Sequence, residues 1–252
     1  MYSEKVHELV KPLEIIFESE DLVAVNKPHG LLVHRSHIAR DVEEFALQIL
    51  RDQLNIGFLY PLHRLDRKTS GCLLFAKNNT LVPLIQDLFV EGKVSKTYHA
   101  ILRGWMEAPM RIDYPVKNDK GILKDAVTLY KGLENYEINV PLGKHPTSRY
   151  SRVELKPKTG RFHQLRQHMN HLRHPILGDR PHGCSKQNRL WKQKFGLTEM
   201  LLWAKELTFT HPLSQEVVEI HSPPSDTWNK VIHILENYDS EEHRVHGYKS
   251  GI

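Results

Sequence analysis

His63-Arg64-Leu65-Asp66-Arg67-Lys68-Thr69-Ser70-Gly71 is a polar loop that runs directly into the apolar stretch Cys72-Leu73-Leu74-Phe75-Ala76. An apolar run of that length predicts a buried strand. A loop carried by such a strand is a common seat for reactive side chains. Within it one carboxylate, Asp66, stands among Arg64, Arg67 and Lys68, and cations in that company favour its charged form. A charged carboxylate can act as a nucleophile. A loop aspartate that caps a turn or pairs with a neighbouring arginine would have the same local sequence, so this stretch alone leaves both readings open.

On the N-terminal side, residues 13–18 and 22–27 read as two short strands around a turn, and Pro28-His29-Gly30 forces another turn. A helix is expected over 42–54, with Asp41, Glu43 and Glu44 at its start, where a helix N-terminus favours acids. On the C-terminal side, a helix over 79–90 should end near Gly92. A long strand follows over 95–105, with Tyr98, Ala100 and Leu102 on one face and Thr97, His99, Ile101 and Arg103 on the other. Further strands are expected at 126–130, 136–140, 150–155, 201–209 and 217–220. Phe162, Leu165, Met169 and Leu172 share one face of a helix over 162–172, which Pro175 stops, and a last helix is expected over 223–235. Residues 239–252 are polar and read as frayed. Strands mixed with helices, with no repeat or linker, give an α+β class. The expected organisation is an N-terminal extension over 1–12, one catalytic domain over 13–236 and a polar tail over 237–252.

The 252 residues are 40% hydrophobic and 26% charged, and no apolar run approaches the roughly 18 residues that cross a bilayer. The first dozen residues mix charge of both signs with short apolar stretches, unlike a signal or transit peptide, so a cytoplasmic protein is expected. Two distant cysteines, Cys72 and Cys184, exclude a disulfide scaffold and read as reduced, buried thiols. The net charge of +5 is modest, but from Lys144 to Lys194 thirteen Lys and Arg face only Glu154 and Asp179. A basic block of that density points to a polyanionic partner.

The loop around Asp66 resembles, at every fixed position, the H-R-L-D-x-x-T-S-G signature of the RluA-like pseudouridine synthases. Three further blocks are similar to that family in the same order: Val25-Asn26-Lys27-Pro28-His29-Gly30-Leu31-Leu32-Val33-His34, Lys96-Thr97-Tyr98-His99-Ala100, and Lys158-Thr159-Gly160-Arg161-Phe162-His163-Gln164-Leu165-Arg166. The resemblance implies a mixed, mostly antiparallel sheet flanked by helices with a central active-site cleft. It also implies a cofactor-free isomerase, without a metal, that breaks the uracil glycosidic bond, turns the base and rejoins ribose to carbon five of the ring. Asp66 takes the place of the family's catalytic carboxylate, attacking either the sugar or the base. Tyr98 takes that of the tyrosine that stacks on the extruded base and helps proton transfer, and Arg166 that of the arginine paired with the aspartate. Arg64 matches an arginine that enters the RNA stack as the base leaves, and His63 belongs to the same substrate-facing signature. Leu202 corresponds to an apolar floor under the uracil. This chain has Leu202-Trp203-Ala204 where relatives commonly have Leu-His-Ala, so that histidine's role is absent or replaced.

The histidines 163, 168, 171, 174 and 182 with Cys184 suggest zinc, but neither HExxH nor CxxC spacing occurs. A glycosidase needs two carboxylates flanking the bond, and the loop offers one. A non-catalytic RNA-binding protein of the same fold is the remaining alternative, and the intact set of Asp66, Tyr98 and Arg166 weighs against it. The first strand begins near Leu13, which leaves no room for a small RNA-binding module ahead of it. Segments at 146–150, 187–189 and 194–197 resemble the tRNA pseudouridine synthase C subgroup. A structured RNA, tRNA first and ribosomal RNA second, is therefore the expected partner of a monomer without obligate protein partners. Its phosphates should be held by some of Lys144, Arg149, Arg152, Lys156, Lys158, Arg161, Arg173 and Arg189.

Overall fold

The computed structural model describes residues 11–34, 44–106 and 108–246, with side chains described as far as Tyr238. In chain order the elements are β1 (Glu14–Glu18), β2 (Leu22–Lys27), α1 (Ala46–Leu54), β3 (Tyr60–Pro61), β4 (Ser70–Ala76), α2 (Leu81–Val90) and β5 (Ser95–Arg103). There follow β6 (Met110–Asp113), β7 (Val116–Lys117), β8 (Leu123–Lys124), β9 (Val127–Ile138), β10 (Ser148–Pro157), α3 (Gln164–His171) and α4 (Ser185–Phe195). The chain closes with β11 (Leu202–Thr210), β12 (Val217–His221) and α5 (Asp226–His246).

Among the described residues, ten strands form one sheet in the order β1-β2-β4-β11-β5-β10-β9-β6, with β3 added to β4 and β12 to β11. Every pairing in it is antiparallel except β4 with β11, which is parallel and joins only Trp203 to Ser70 and Ala204 to Gly71. The sheet is thus two antiparallel halves joined at a short seam. Gly71 makes that seam possible. Its φ is +110°, and a Cβ there would collide with the backbone carbonyl of Ala204, so no other residue fits without moving a strand.

The apolar run after Gly71 is buried on both faces, as the unalternating sequence requires. Leu74 and Ala76 pack with Leu81 and Ile85 of α2, while Leu73 and Phe75 pack with Ala46 and Leu50 of α1. Full burial of each such Leu or Phe contributes about 1.5–3 kcal/mol. In the other half the period-two pattern of β5 sends Ala100 and Leu102 toward Leu165 and Met169 of α3. Ile101 points the opposite way, toward Trp191 of α4 and Trp228 of α5.

Several expected bounds shift. The helix expected over 42–54 begins at Ala46: Phe45 is extended and bridged to Leu32, no acid lies in the first turn, and Asp41 and Glu43 lie outside the described residues. The strands expected at 126–130 and 136–140 are one strand, β9, because β10 pairs along its whole length with a register shift between Arg152 and Val153 absorbing the irregularity. Phe162 precedes α3 and is 39% exposed rather than part of its buried face. α4 was not anticipated, because its Ser-Lys-Gln-Asn-Arg opening carries little apolar periodicity. α5 continues to His246, beyond the expected stop near 235 and into the stretch read as frayed, while residues 247–252 and nearly all of the 1–12 extension lie outside the described residues. Cys72 is buried as expected, but Cys184 is only half-buried and accepts a hydrogen bond from Arg103 Nη1 at 3.3 Å. No described helix is long and apolar enough to cross a membrane.

Candidate active site

The Asp66 loop is braced by the turn that follows β2. Gly30 N–H donates to the Arg67 carbonyl at 2.8 Å, and Arg67 Nε donates back to the Gly30 carbonyl at 2.8 Å. Beneath them Lys27 is fully buried, and its Nζ donates to the carbonyls of Pro28, Leu31 and Arg67 at 2.8, 2.9 and 3.2 Å. Burial pushes this ammonium down to about 7, with the charge of Asp66 opposing the shift and that of Arg67 adding to it. Two of the sequence blocks, 25–34 and 63–71, therefore form one rigid unit that carries Asp66.

Arg166 meets that unit from the other half of the sheet. Gln164 fixes the start of α3: its Oε1 accepts from Arg161 N–H and Thr159 Oγ1, and its Nε2 donates to the Val127 carbonyl. Arg166 lies two residues on and is only 3% exposed. Its Nη1 donates to Asp66 Oδ2 at 3.0 Å, while Nε and Nη2 grip Asp179 Oδ2 and Oδ1 in a two-pronged pair, both at 2.8 Å. Asp179 is fully buried, and such bidentate pairs fix orientation as well as charge. The guanidinium is raised above its already high value by the two carboxylates, against burial as the largest opposing cause. Asp66 keeps a side chain 23% exposed, and its Oδ1 has no hydrogen-bond partner among the described residues. One oxygen is held and the other is open.

His163 adds to this centre. It caps α3 in the left-handed conformation (φ +50°), which turns its ring so that Nε2 lies 3.7 Å from Asp66 Oδ2 while Nδ1 is 3.0 Å from His182 Nε2. Burial first, and then Arg166 and His182, hold His163 down at about 4 against the pull of Asp66, so it is neutral near pH 7. Tyr98 is half-buried and packs against both the core that holds Ala100 and Leu202 and the core that holds Leu65. Its phenol is raised above the ordinary value by burial first and then by the charge of Asp66. Leu202 pairs with Ala100 beside it and is 3% exposed. Trp203 alternates to the opposite face, where it packs on Trp228 and His99 and its Nε1 donates to Ser222 Oγ.

The structure thus brings Asp66, Tyr98, Arg166 and Leu202 together, but not every residue singled out in the sequence. His63 is tied to the fold: its Nε2 accepts from Leu74 N–H at 3.1 Å, its ring stacks on Phe89, and burial holds it at about 4. Arg64 is exposed on the loop. Arg161 is exposed and donates to the Asp125 carbonyl at 3.0 Å. Arg149 lies six residues along β10 from Leu155, the partner of Tyr98, or about 20 Å away. There it pairs with Glu137 at 3.1 Å and lies over the Trp105 ring. Of the clustered histidines, His163 and His182 pair with each other, His168 bonds Thr128 and the Tyr114 carbonyl, His171 stacks on the Tyr114 ring and His174 meets the Arg103 carbonyl. Among the described residues no three His, Cys, Asp or Glu side chains converge as metal ligands. Sequence reasoning missed Asp179 and Lys27 as parts of the centre. A solitary acid in a basic block, and a lysine inside an apolar strand, were the available signals.

Comparison with known proteins identifies the family. The family described as RNA pseudouridylate synthase matches residues 21–171. The tRNA pseudouridine synthase C of Vibrio vulnificus is 44% identical over 235 residues, covering 89% of this chain and 96% of that one. The protein of the same name from Salmonella typhi is 42% identical over 231 residues, covering 87% and 88%. Among solved structures, Human RNA Pseudouridylate Synthase Domain Containing 4 superposes with a TM-score of 0.68 at 26% identity, covering 88% of this chain and 93% of that chain. With its mixed, mostly antiparallel α+β sheet and the residues gathered at its seam, this chain belongs to the RNA pseudouridylate synthase family.

Proposed function

We propose that this protein converts a uridine of tRNA to pseudouridine, with Asp66 as the nucleophile. The observation that carries the reading is the hydrogen bond from buried Arg166 to Asp66 Oδ2, which joins the two sheet halves and leaves Oδ1 open. The relatives named tRNA pseudouridine synthase C, matched along nearly their whole length, support tRNA as the substrate. The target base must leave its stack to reach a carboxylate at the seam, at a cost of about a few kcal/mol that exposed Arg64 helps offset by entering the gap.

Asp66 Oδ1 then forms a transient covalent bond to the extruded nucleoside. The bond from N1 to the anomeric carbon breaks, the freed uracil turns, and its carbon five bonds to the anomeric carbon. The bond to Asp66 breaks, the hydrogen on carbon five leaves as a proton and N1 takes up a proton in its place, so the product is an isomer of the substrate and no co-reactant enters. Tyr98 stacks on the uracil and assists proton transfer at carbon five. Leu202 supplies the apolar floor beside it. Arg166 aims the nucleophile through its hydrogen bond to Oδ2.

The test is release of tritium from tRNA labelled at uracil carbon five. Wild type should release label, and Asp66→Asn should lower the rate by about a thousandfold or more while still binding tRNA. Equal release by both proteins refutes the nucleophile. Release from ribosomal RNA fragments alone moves the substrate assignment and leaves the chemistry standing.

A further inference from the structure

The basic block between Lys144 and Lys194 is not one surface. On β10 the cations have acidic partners: Arg149 with Glu137, Arg152 with Glu134 and Lys156 with Glu154. Around α4 they do not. Arg180, Arg189 and Lys192 are exposed and have no carboxylate within 4 Å among the described residues. They line one cavity of about 640 Å³ together with Gly178, Asn188 and Thr198, and no acid lines it.

This cavity adjoins the residues that hold the reaction centre, because Gly178 and Asn188 of its lining are neighbours of Asp179. Asn188 Oδ1 accepts from Gly178 N–H at 3.0 Å and its Nδ2 donates to the Asp179 carbonyl at 2.6 Å, so α4 grips the backbone of Asp179, whose side chain holds Arg166, and of the residue before it. On the other side Lys68 of the catalytic loop is held below its ordinary value, by burial first and then by Arg180 and Arg166. Exposed cations gathered in one cavity with no acid in its lining favour an anion there.

We infer that the α4 cavity is the docking site for the RNA sugar-phosphate backbone next to the target uridine, running from Lys68 past Arg180 to Arg189 and Lys192. The inference rests on the isomerase reading for the identity of the RNA but not for its charge. Asn188 and Thr198 offer hydrogen bonds to ribose or phosphate oxygens, and the cations supply the attraction.

Binding of unfractionated tRNA, followed by fluorescence anisotropy between 50 and 300 mM KCl, tests it without turnover. The exposed double variant Arg189→Ala/Lys192→Ala should raise Kd about tenfold or more at the lower salt and flatten the slope of log K against log salt by about 1.5–2, as loss of two phosphate contacts requires. Arg152→Ala/Lys156→Ala, on the strand face, should change the slope by less than about half a unit. An unchanged thermal midpoint shows that each variant is folded, and Arg180→Gln supplies an independent single change in the same cavity. If the α4 variants keep the wild-type Kd and slope, or if the strand-face variant alone loses affinity, the docking site is refuted. If the predicted binding pattern appears but wild type releases no label from any RNA, the docking site stands and the isomerase reading fails.

Discussion

β10 and the segment from α3 to α4 both lie in the basic block from Lys144 to Lys194, yet their cations meet opposite fates. On the strands, antiparallel register places Glu137 opposite Arg149 and Glu134 opposite Arg152, and the charges cancel across the ladder. In the later segment the single acid, Asp179, is swallowed by the fold to hold Arg166, and the remaining cations have nothing to neutralise them. The density of basic residues therefore says little by itself. What matters is whether the backbone brings an acid alongside.

The sharpest way to break this contrast is to alter Asp179. Asp179→Ala leaves a buried guanidinium without its two-pronged partner and should cost about 3–5 kcal/mol of folding stability, read by urea denaturation. Asp179→Asn keeps the volume but loses the grip that aims Arg166, so it should lower kcat about a hundredfold with little change in tRNA affinity, a split that general loosening would not produce. An intermediate effect comes from pH. His63, His99 and His163 are held at about 4, burial being the largest cause, whereas in the unfolded chain they take up protons near 6.5. Their folded values are depressed, so the unfolded state binds more protons in this window and stability should fall as pH drops from 6.5 to 4. His163→Gln should remove part of that fall, and an unchanged pH profile in this variant would place its ring in solvent. The smallest effect belongs to the strand face: Arg152→Ala should change stability by less than about 1 kcal/mol, because an ion pair at the surface contributes little.

Much of this was legible beforehand because the catalytic loop and the strand after it signal the same thing at two scales, an unbroken apolar run and a polar turn ahead of it. The faces of β5 were readable from simple alternation, which is why Tyr98 could be placed beside Ala100 and Leu102. The helix carrying Arg166 was readable too, though its first turn was misjudged: Phe162 fits the helical spacing, but the chain enters α3 through a left-handed His163, a conformation no periodicity reveals. The partnership of Arg166 with Asp179 was hidden for another reason. Thirteen residues separate them, and only the turn through Pro175 and Gly178 brings them face to face. Gly178 has φ +81°, and a Cβ there would strike the Glu199 carbonyl, so that turn depends on tertiary packing that a sequence window does not contain.

The two-residue parallel seam between β4 and β11 has a mechanical corollary. Asp66 hangs from one sheet half, whereas Tyr98, Arg166 and Asp179 ride on the other, with α3 packed against β10 and β7. A two-residue suture thus runs beneath the centre's most demanding alignment, and a load that pries the halves apart separates the Asp66 carboxylate from the groups that steer it.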